Sequence, residues 1–145
     1  QGAMCLLESV AHWDERVIVC RATSHVWPNH PLRDESGLYA VCAIEYGAQA
    51  IAAHACLLAG GKDGRIGHGV LASIRNVVTG VPRLDNLEDP LTIRADLALA
   101  QADGRVYDLI VTAGSTRVLT GRVMVMASTK AATEHCLAPH EEVRP

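Results

Sequence analysis

The sequence lacks several features that would assign it to a functional class. Phenylalanine is absent and aromatic residues make up only 3% of the 145 residues, so a hydrophobic core has to be built from aliphatic side chains. Basic residues are not in excess, with 13 lysines and arginines against 16 aspartates and glutamates, which argues against a nucleic-acid-binding protein. The five cysteines include no CxxC pair, and their odd number favours reduced thiols over a disulfide framework.

A membrane-spanning run and a secretory signal are also missing from the pattern. The nearest candidate for a span, Leu38 to Ala59, is interrupted by Glu45, Gln49 and His54. We therefore expect a cytoplasmic protein without a membrane span. With 49% hydrophobic residues the chain can form one core, and we expect a single domain over residues 1–145, of which about 129–145 form a polar C-terminal tail.

The same apolar stretch, Leu38 to Ala59, is the most prominent feature that is present. It contains one glycine and no proline, and it ends at Gly60-Gly61, which suits a helix C-terminus. About 20 residues predict a helix ~30 Å long. Because it is apolar on almost every side, we expect it to be buried all round. The preceding segment, residues 25–37, is rich in Pro, Asn, Asp and Gly and is predicted to be a loop.

Most of the remaining chain has the β-branched content and alternation of strands. Asp103-Gly104 between two such runs is a strong hairpin signal. A single apolar helix needs cover on more than one side, so we predict an α+β fold in which a curved antiparallel sheet wraps the long central helix. The sheet has an edge to protect, which favours at least a dimer. The predicted strands are 16–23, 70–78, 91–99, 105–112 and 118–126.

Two motifs point to a known family. The loop contains Asn29-His30-Pro31-Leu32-Arg33, and the helix contains Ile44-Glu45-Tyr46-Gly47-Ala48-Gln49-Ala50. Together they resemble the hotdog-fold 3-hydroxyacyl-[acyl carrier protein] dehydratases of the FabA/FabZ type, and most closely the small branch found in aryl-polyene biosynthetic clusters. The resemblance extends from Met4 to about Ser128 and implies the hotdog fold.

The resemblance also implies roles for four residues. The family's loop histidine falls on His30 and its helix carboxylate on Glu45. The backbone N–H that polarises the thioester carbonyl falls on Ala40, and the glutamine one turn after the carboxylate falls on Gln49. In the family the histidine and the carboxylate meet across a subunit interface. The loop and helix start depart from the common FabZ pattern at Leu32-Arg33 and Tyr39-Ala40, which leaves the oxyanion donors open.

These residue types fit the dehydration of a 3-hydroxyacyl thioester. A neutral imidazole at His30 can remove the C2 proton, and a protonated acid at Glu45 can assist loss of the C3 hydroxyl. Desolvation of Glu45 in an apolar helix favours the protonated form. Expected partners are an acyl carrier protein and a second hotdog subunit, identical or related, with no cofactor. Basic candidates for contact with an acidic carrier protein are Arg33, Lys62, Arg75 and Arg83.

Other interpretations remain open at this point. A hotdog thioesterase would use the same carboxylate to activate water, and a non-catalytic partner subunit would share the fold without turnover. His25 and His54 are expected to be structural. We expect no metal site, since the His135, Cys136 and His140 group has neither a fourth ligand nor a rigid frame. The sequence leaves open the acyl chain length, aryl or alkyl substrate, and carrier protein or coenzyme A.

Overall fold

An antiparallel sheet with one long helix packed against it makes up the described part of the chain. In the computed structural model this part comprises residues 5–60 and 69–127. The six strands are β1 (Ser9–Trp13), β2 (Val17–Ala22), β3 (Gly69–Thr79), β4 (Leu91–Ala100), β5 (Gly104–Ala113) and β6 (Thr116–Ala127), and the helix is α1 (Ala43–Leu58). This is the α+β hotdog architecture that the sequence predicts.

The sheet has the order β1-β2-β4-β5-β6-β3, and every neighbouring pair is antiparallel. The predicted hairpin is present, because the Gln101 N–H donates to the Gly104 carbonyl at 2.8 Å between β4 and β5. β1 was not predicted. All five of its residues are exposed, so the alternation of buried and exposed positions that reveals a strand is missing there.

The helix begins later than its composition suggests. Leu38 and Tyr39 pair with the loop after β3 instead: the Leu84 N–H donates to the Leu38 carbonyl at 2.8 Å, and Tyr39 forms a bridge with Arg83. A short 3-10 helix, Ala40–Cys42, then leads into α1. The prediction of a helix from Leu38 was therefore wrong by a few residues, because cross-strand contacts compete with the first turn.

The prediction that α1 is buried on all sides was also wrong for the single chain. Only one face is buried, and it consists of Ala43, Tyr46, Gly47, Ala50, Ile51 and His54. By length and composition Ala40–Leu58 could cross a membrane, but the core helix of a soluble domain passes the same test. Here the buried face packs on the inner side of the sheet, and its opposite face stays partly exposed.

Close approach of α1 to the sheet depends on Gly47. A Cβ at this position would collide with the side chain of Leu109 on β5, so glycine lets the helix lie directly on the strand. Several predictions concern residues outside the described ranges, and they stay predictions: Lys62, His135, Cys136, His140 and the polar tail.

Candidate active site

His30 lies in the loop between β2 and α1, where two local backbone hydrogen bonds hold its main chain. Its N–H donates to the Trp27 carbonyl at 3.4 Å, and its own carbonyl accepts from Arg33 N–H at 3.1 Å. The indole ring of Trp27 lies 6.3 Å from the imidazole, centre to centre. The imidazole is only 3% exposed. The predicted base is therefore held inside the chain and not on an open loop.

A hydrogen-bonded chain connects His30 to the protein interior. His30 Nε2 lies 3.1 Å from the Tyr46 hydroxyl, which lies 2.7 Å from Ser24 Oγ. Ser24 donates to the Leu6 carbonyl at 2.8 Å. On its other side, His30 Nδ1 accepts the Leu32 N–H at 3.0 Å.

The two ends of this chain fix the direction of every bond in it. A carbonyl only accepts, so Ser24 donates to Leu6 and must accept the hydroxyl hydrogen of Tyr46. Tyr46 then has only acceptor capacity left for His30. A backbone N–H only donates, so Nδ1 carries the lone pair and Nε2 carries the proton. Both arguments give the same neutral tautomer of His30.

Electrostatics favour this neutral form. Burial lowers the pKa of His30 below its ordinary value of 6.5, and the positive charges of Arg33 and of a protonated His25 lower it further. Burial likewise raises the pKa of Tyr46 to about 12, so the hydroxyl keeps its proton. At neutral pH, His30 is therefore a neutral imidazole and Tyr46 a protonated phenol that accepts its hydrogen bond.

Glu45 is half-buried in the first turn of α1, which is less burial than the sequence suggests. Its Oε2 accepts from Gln49 Nε2 at 3.2 Å, so the predicted partner one turn later is in contact with it. Gln49 Oε1 in turn accepts the Leu6 N–H at 3.0 Å. No hydrogen bond or ion pair between His30 and Glu45 occurs within the described part of the chain.

Leu6 is therefore shared by the two predicted catalytic groups. Its carbonyl ends the chain that begins at His30, and its N–H ends the chain that begins at Glu45. Leu6 itself is 1% exposed and belongs to the core. A segment ahead of the first strand thus joins both networks through a single residue.

The predicted oxyanion donor has an acceptor within the chain. The Ala40 N–H donates to the Pro82 carbonyl at 3.0 Å, so it would have to exchange this acceptor for a thioester oxygen. The role of Ala40 stays a prediction.

Asp85 holds the loop that leads into this helix start. Its nearly buried carboxylate accepts from Leu38 N–H at 3.2 Å and binds Arg83 at 2.7 Å and Arg33 at 3.5 Å. The Arg83 guanidinium lowers the pKa of Asp85 to about 2. Two of the basic residues suggested for a carrier protein are thus already paired, while Arg75 is exposed on β3.

The other two buried histidines bond to backbone and side-chain groups outside the His30 and Glu45 networks. His25 Nε2 donates to the Leu87 carbonyl at 3.0 Å, and its Nδ1 is a buried acceptor with no donor among the described residues. His54 Nε2 donates to the Asp14 carbonyl at 2.8 Å, and its Nδ1 accepts from the Tyr107 hydroxyl at 2.7 Å. Within residues 5–60 and 69–127, no three potential ligands converge on a metal position.

Sequence reasoning missed Ser24 and Tyr46. The available signal was a tyrosine hydroxyl directly after Glu45 in a helix of mostly apolar residues, because a buried hydroxyl must find a partner. Ser24 could not be found in this way, since serine is common in loops.

The family model described as "ApeP-like: ApeP dehydratase" matches residues 1–136. The chain belongs to the ApeP-like dehydratase family. This agrees with the resemblance drawn from the His30 loop and the Glu45 helix. Among curated proteins, no sequence matches this ApeP-like chain significantly.

Solved structures show that the ApeP-like chain has the hotdog fold. The ApeI:P dehydratase heterocomplex of Xenorhabdus doucetiae is 23% identical, with a TM-score of 0.79 over 95% of this chain and 91% of that chain. A thioesterase mutant from Staphylococcus aureus is 14% identical, with a TM-score of 0.63 over 83% and 93%. The PaaI protein of Escherichia coli is 17% identical, with a TM-score of 0.59 over 81% of each chain.

Proposed function

We propose that this chain is a subunit of a cytoplasmic (3R)-3-hydroxyacyl-[acyl carrier protein] dehydratase in fatty-acid or polyene-type biosynthesis. The observation that carries the proposal is the match to a dehydratase family over residues 1–136. The neutral, hydrogen-bonded imidazole of His30 supports it, because proton removal from C2 needs a base that is unprotonated near neutral pH.

The reaction divides between two residues. His30 Nδ1 takes the C2 proton, and the electron pair of that C–H bond forms the C2–C3 double bond. The C3–O bond breaks, and the departing oxygen takes a proton from a carboxylic acid that the opposite subunit supplies at the position of Glu45, and leaves as water. The products are the trans-2-enoyl thioester, an imidazolium and a carboxylate, and proton return from the imidazolium to the carboxylate restores the starting state. The backbone N–H of Ala40, at the helix start, binds the thioester oxygen.

This division requires a second subunit. His30 and Glu45 are not bonded to each other within the chain, so we propose that each meets its counterpart across an interface with a related hotdog subunit. The similar Xenorhabdus doucetiae structure is a dehydratase heterocomplex. Among the described strands, β3 is the last in the sheet and has no neighbour on one side, and it carries four exposed apolar side chains, which suits burial by a partner. They are Leu71, Ile74, Val77 and Val78.

A pair of matched substitutions tests the interface. Val78 on β3 is 62% exposed and Val10 on the opposite edge, β1, is 43% exposed. With a related hotdog subunit co-expressed, native mass spectrometry should detect a heterodimer that Val78→Asp disrupts and Val10→Asp leaves intact. A homodimer, or disruption by Val10→Asp alone, would contradict the proposed partner or the proposed edge.

The activity test uses a (3R)-3-hydroxyacyl thioester of an acyl carrier protein and follows its intact mass. The heterodimer should remove one water. The double variant His30→Gln, Glu45→Gln takes one member from each site and should abolish the loss, while Glu35→Gln, at an exposed loop carboxylate, should not. Release of free acid would indicate a thioesterase instead. An unchanged substrate mass in every sample would indicate a non-catalytic subunit, and either outcome would overturn the proposal.

A further inference from the structure

We propose that Tyr46 and Ser24 are positioning residues, a two-hydroxyl relay that holds the proton of His30 on Nε2 and so makes Nδ1 the nitrogen that accepts the substrate proton. This inference rests on the proposed function for its catalytic meaning. Its structural part, the tautomer of His30, is independent of any reaction.

The relay has a fixed polarity because its inner end is a backbone carbonyl. Ser24 is committed as a donor to Leu6, so the Tyr46 hydroxyl hydrogen points toward Ser24 and away from His30. Only the N–H of an imidazole can then form the 3.1 Å contact with Tyr46. Both hydroxyls are almost fully buried, with Ser24 at 1% and Tyr46 at 0% exposure, so water does not compete for these bonds.

The consequence for catalysis is a defined basic atom. Nδ1 is bonded only to the Leu32 N–H, two residues along the same loop, and a local loop contact of this kind can open without disturbing the sheet or helix. When Nδ1 takes a proton, the imidazolium keeps its Nε2–H bond to the Tyr46 oxygen. The relay therefore supports the ring before and after the transfer and orients it without touching the substrate.

The anchor of the relay is also the anchor of Glu45. The Leu6 carbonyl holds Ser24, and the Leu6 N–H holds the Gln49 amide that contacts Glu45. A change in the relay that moves Leu6 is therefore transmitted to the carboxylate as well. This is why the serine end of the relay needs its own variant in the test.

The test measures the tautomer directly with uniformly 15N-histidine-labelled protein. Long-range 1H–15N correlation should identify wild-type His30 as the Nε2–H form. Tyr46→Phe keeps the ring and removes the acceptor of the Nε2–H, so the His30 15N signals should shift, with the Leu32 N–H as the remaining bond that favours the Nε2–H form. Turnover should fall about tenfold in kcat with KM little changed, as expected for one lost hydrogen bond. Ser24→Ala should shift the same signals to a smaller extent.

The matched control is Tyr107→Phe, which removes the hydroxyl that contacts His54 on the same helix. It should leave the His30 signals and kcat unchanged. An Nδ1–H form in the wild type, or His30 signals unaltered by both Tyr46→Phe and Ser24→Ala, would overturn the relay. If wild-type protein shows the predicted tautomer but no turnover, the relay stands and the proposed dehydratase activity fails. Should Tyr46→Phe not fold, Ser24→Ala decides alone.

Discussion

Two buried histidine–tyrosine pairs each have one member on α1, Tyr46 in one pair and His54 in the other, and they differ in which partner donates. In the His30 pair the imidazole donates from Nε2 to Tyr46, whereas in the His54 pair the Tyr107 hydroxyl donates to the imidazole Nδ1. The distances are similar, at 3.1 and 2.7 Å, and all four side chains are buried. Burial and contact alone therefore do not separate a candidate base from a structural histidine.

The outer partner of each ring makes the difference. His54 Nε2 donates to the Asp14 carbonyl in the β1–β2 connection, so the ring joins the second half of α1 to the sheet edge. His30 Nδ1 accepts from an amide of its own loop, so apart from the bond to Tyr46 the ring is held only within that loop. The lone pair of His30 Nδ1 is bonded only within its own loop and can become available to a substrate. Both nitrogens of His54 are bonded to other elements of the fold, so neither is available as a base.

The largest expected effect is on turnover. His30→Gln keeps a polar side chain of similar size but removes the base. In the Glu45→Gln background, which leaves only the site that contains His30, the dehydration rate should fall by roughly 10²–10⁴-fold. Because the ring joins only loop residues and Tyr46, the urea midpoint should change little. Mass spectrometry of the acyl thioester and a denaturation curve on the same preparation check both statements. If His30→Gln greatly lowered stability and the folded fraction still turned over normally, His30 would be the structural histidine and not the base.

His54→Leu should have the opposite effect to His30→Gln, lowering stability and leaving turnover nearly unchanged. It leaves the buried Tyr107 hydroxyl and the carbonyl of Asp14, an exposed residue, without their partner, which costs about 1–3 kcal/mol of unfolding free energy. Turnover per folded molecule should stay near the wild-type value. Urea denaturation gives the first quantity and activity at low temperature, where the variant is folded, gives the second. If the variant were as stable as the wild type, the His54–Tyr107 pair would contribute nothing to the stability of the fold.

A third substitution tests which of the two histidine–tyrosine pairs depends more on the close contact between α1 and the sheet. Gly47→Ala places a methyl group against Leu109, and overpacking of this kind costs about 1–3 kcal/mol. The gain in helix propensity offsets about 1 kcal/mol, so we expect a net loss of about 1–2 kcal/mol. Leu109 lies on β5 with Tyr107, so the His54 pair should be disturbed more than the His30 pair. Histidine chemical shifts report this, and an equal disturbance of both rings would contradict it.

The sequence predicts the fold more fully than the site. Strand alternation, the Asp103-Gly104 turn and the apolar helix gave the sheet and its central helix, and the dehydratase motifs gave the family. The edge strand β1 and the true helix start were missed, because an exposed strand has no periodic signal and the start depends on pairing between Leu38 and Leu84. The assignment of the base nitrogen could not be predicted at all. It depends on the carbonyl of Leu6 and the amide of Leu32, and main-chain groups are the same in every sequence.

The smallest expected effect is the pH dependence of stability, and it tests the electrostatic side of the comparison. The pKa values of His25 and His30 are both lowered by burial in the folded chain, from an ordinary value of 6.5. An unfolded chain then binds protons at higher pH than the folded one, so these groups stabilise the fold above about pH 6.5 and the contribution falls as pH decreases through their folded pKa values. The pKa of Asp85, lowered to about 2, gives a separate loss only below about pH 4.

Urea midpoints measured from pH 7.5 down to about pH 5 should therefore decrease, with an unchanged dependence on urea concentration. His30→Gln removes one of the two titrating groups and should flatten the decrease, and His25→Gln should do the same by an independent route. The double variant should be the flattest of all. A decrease that persists undiminished in the double variant would mean that neither imidazole is kept neutral by burial, and the low-pKa base on which His30 chemistry depends would lose its support.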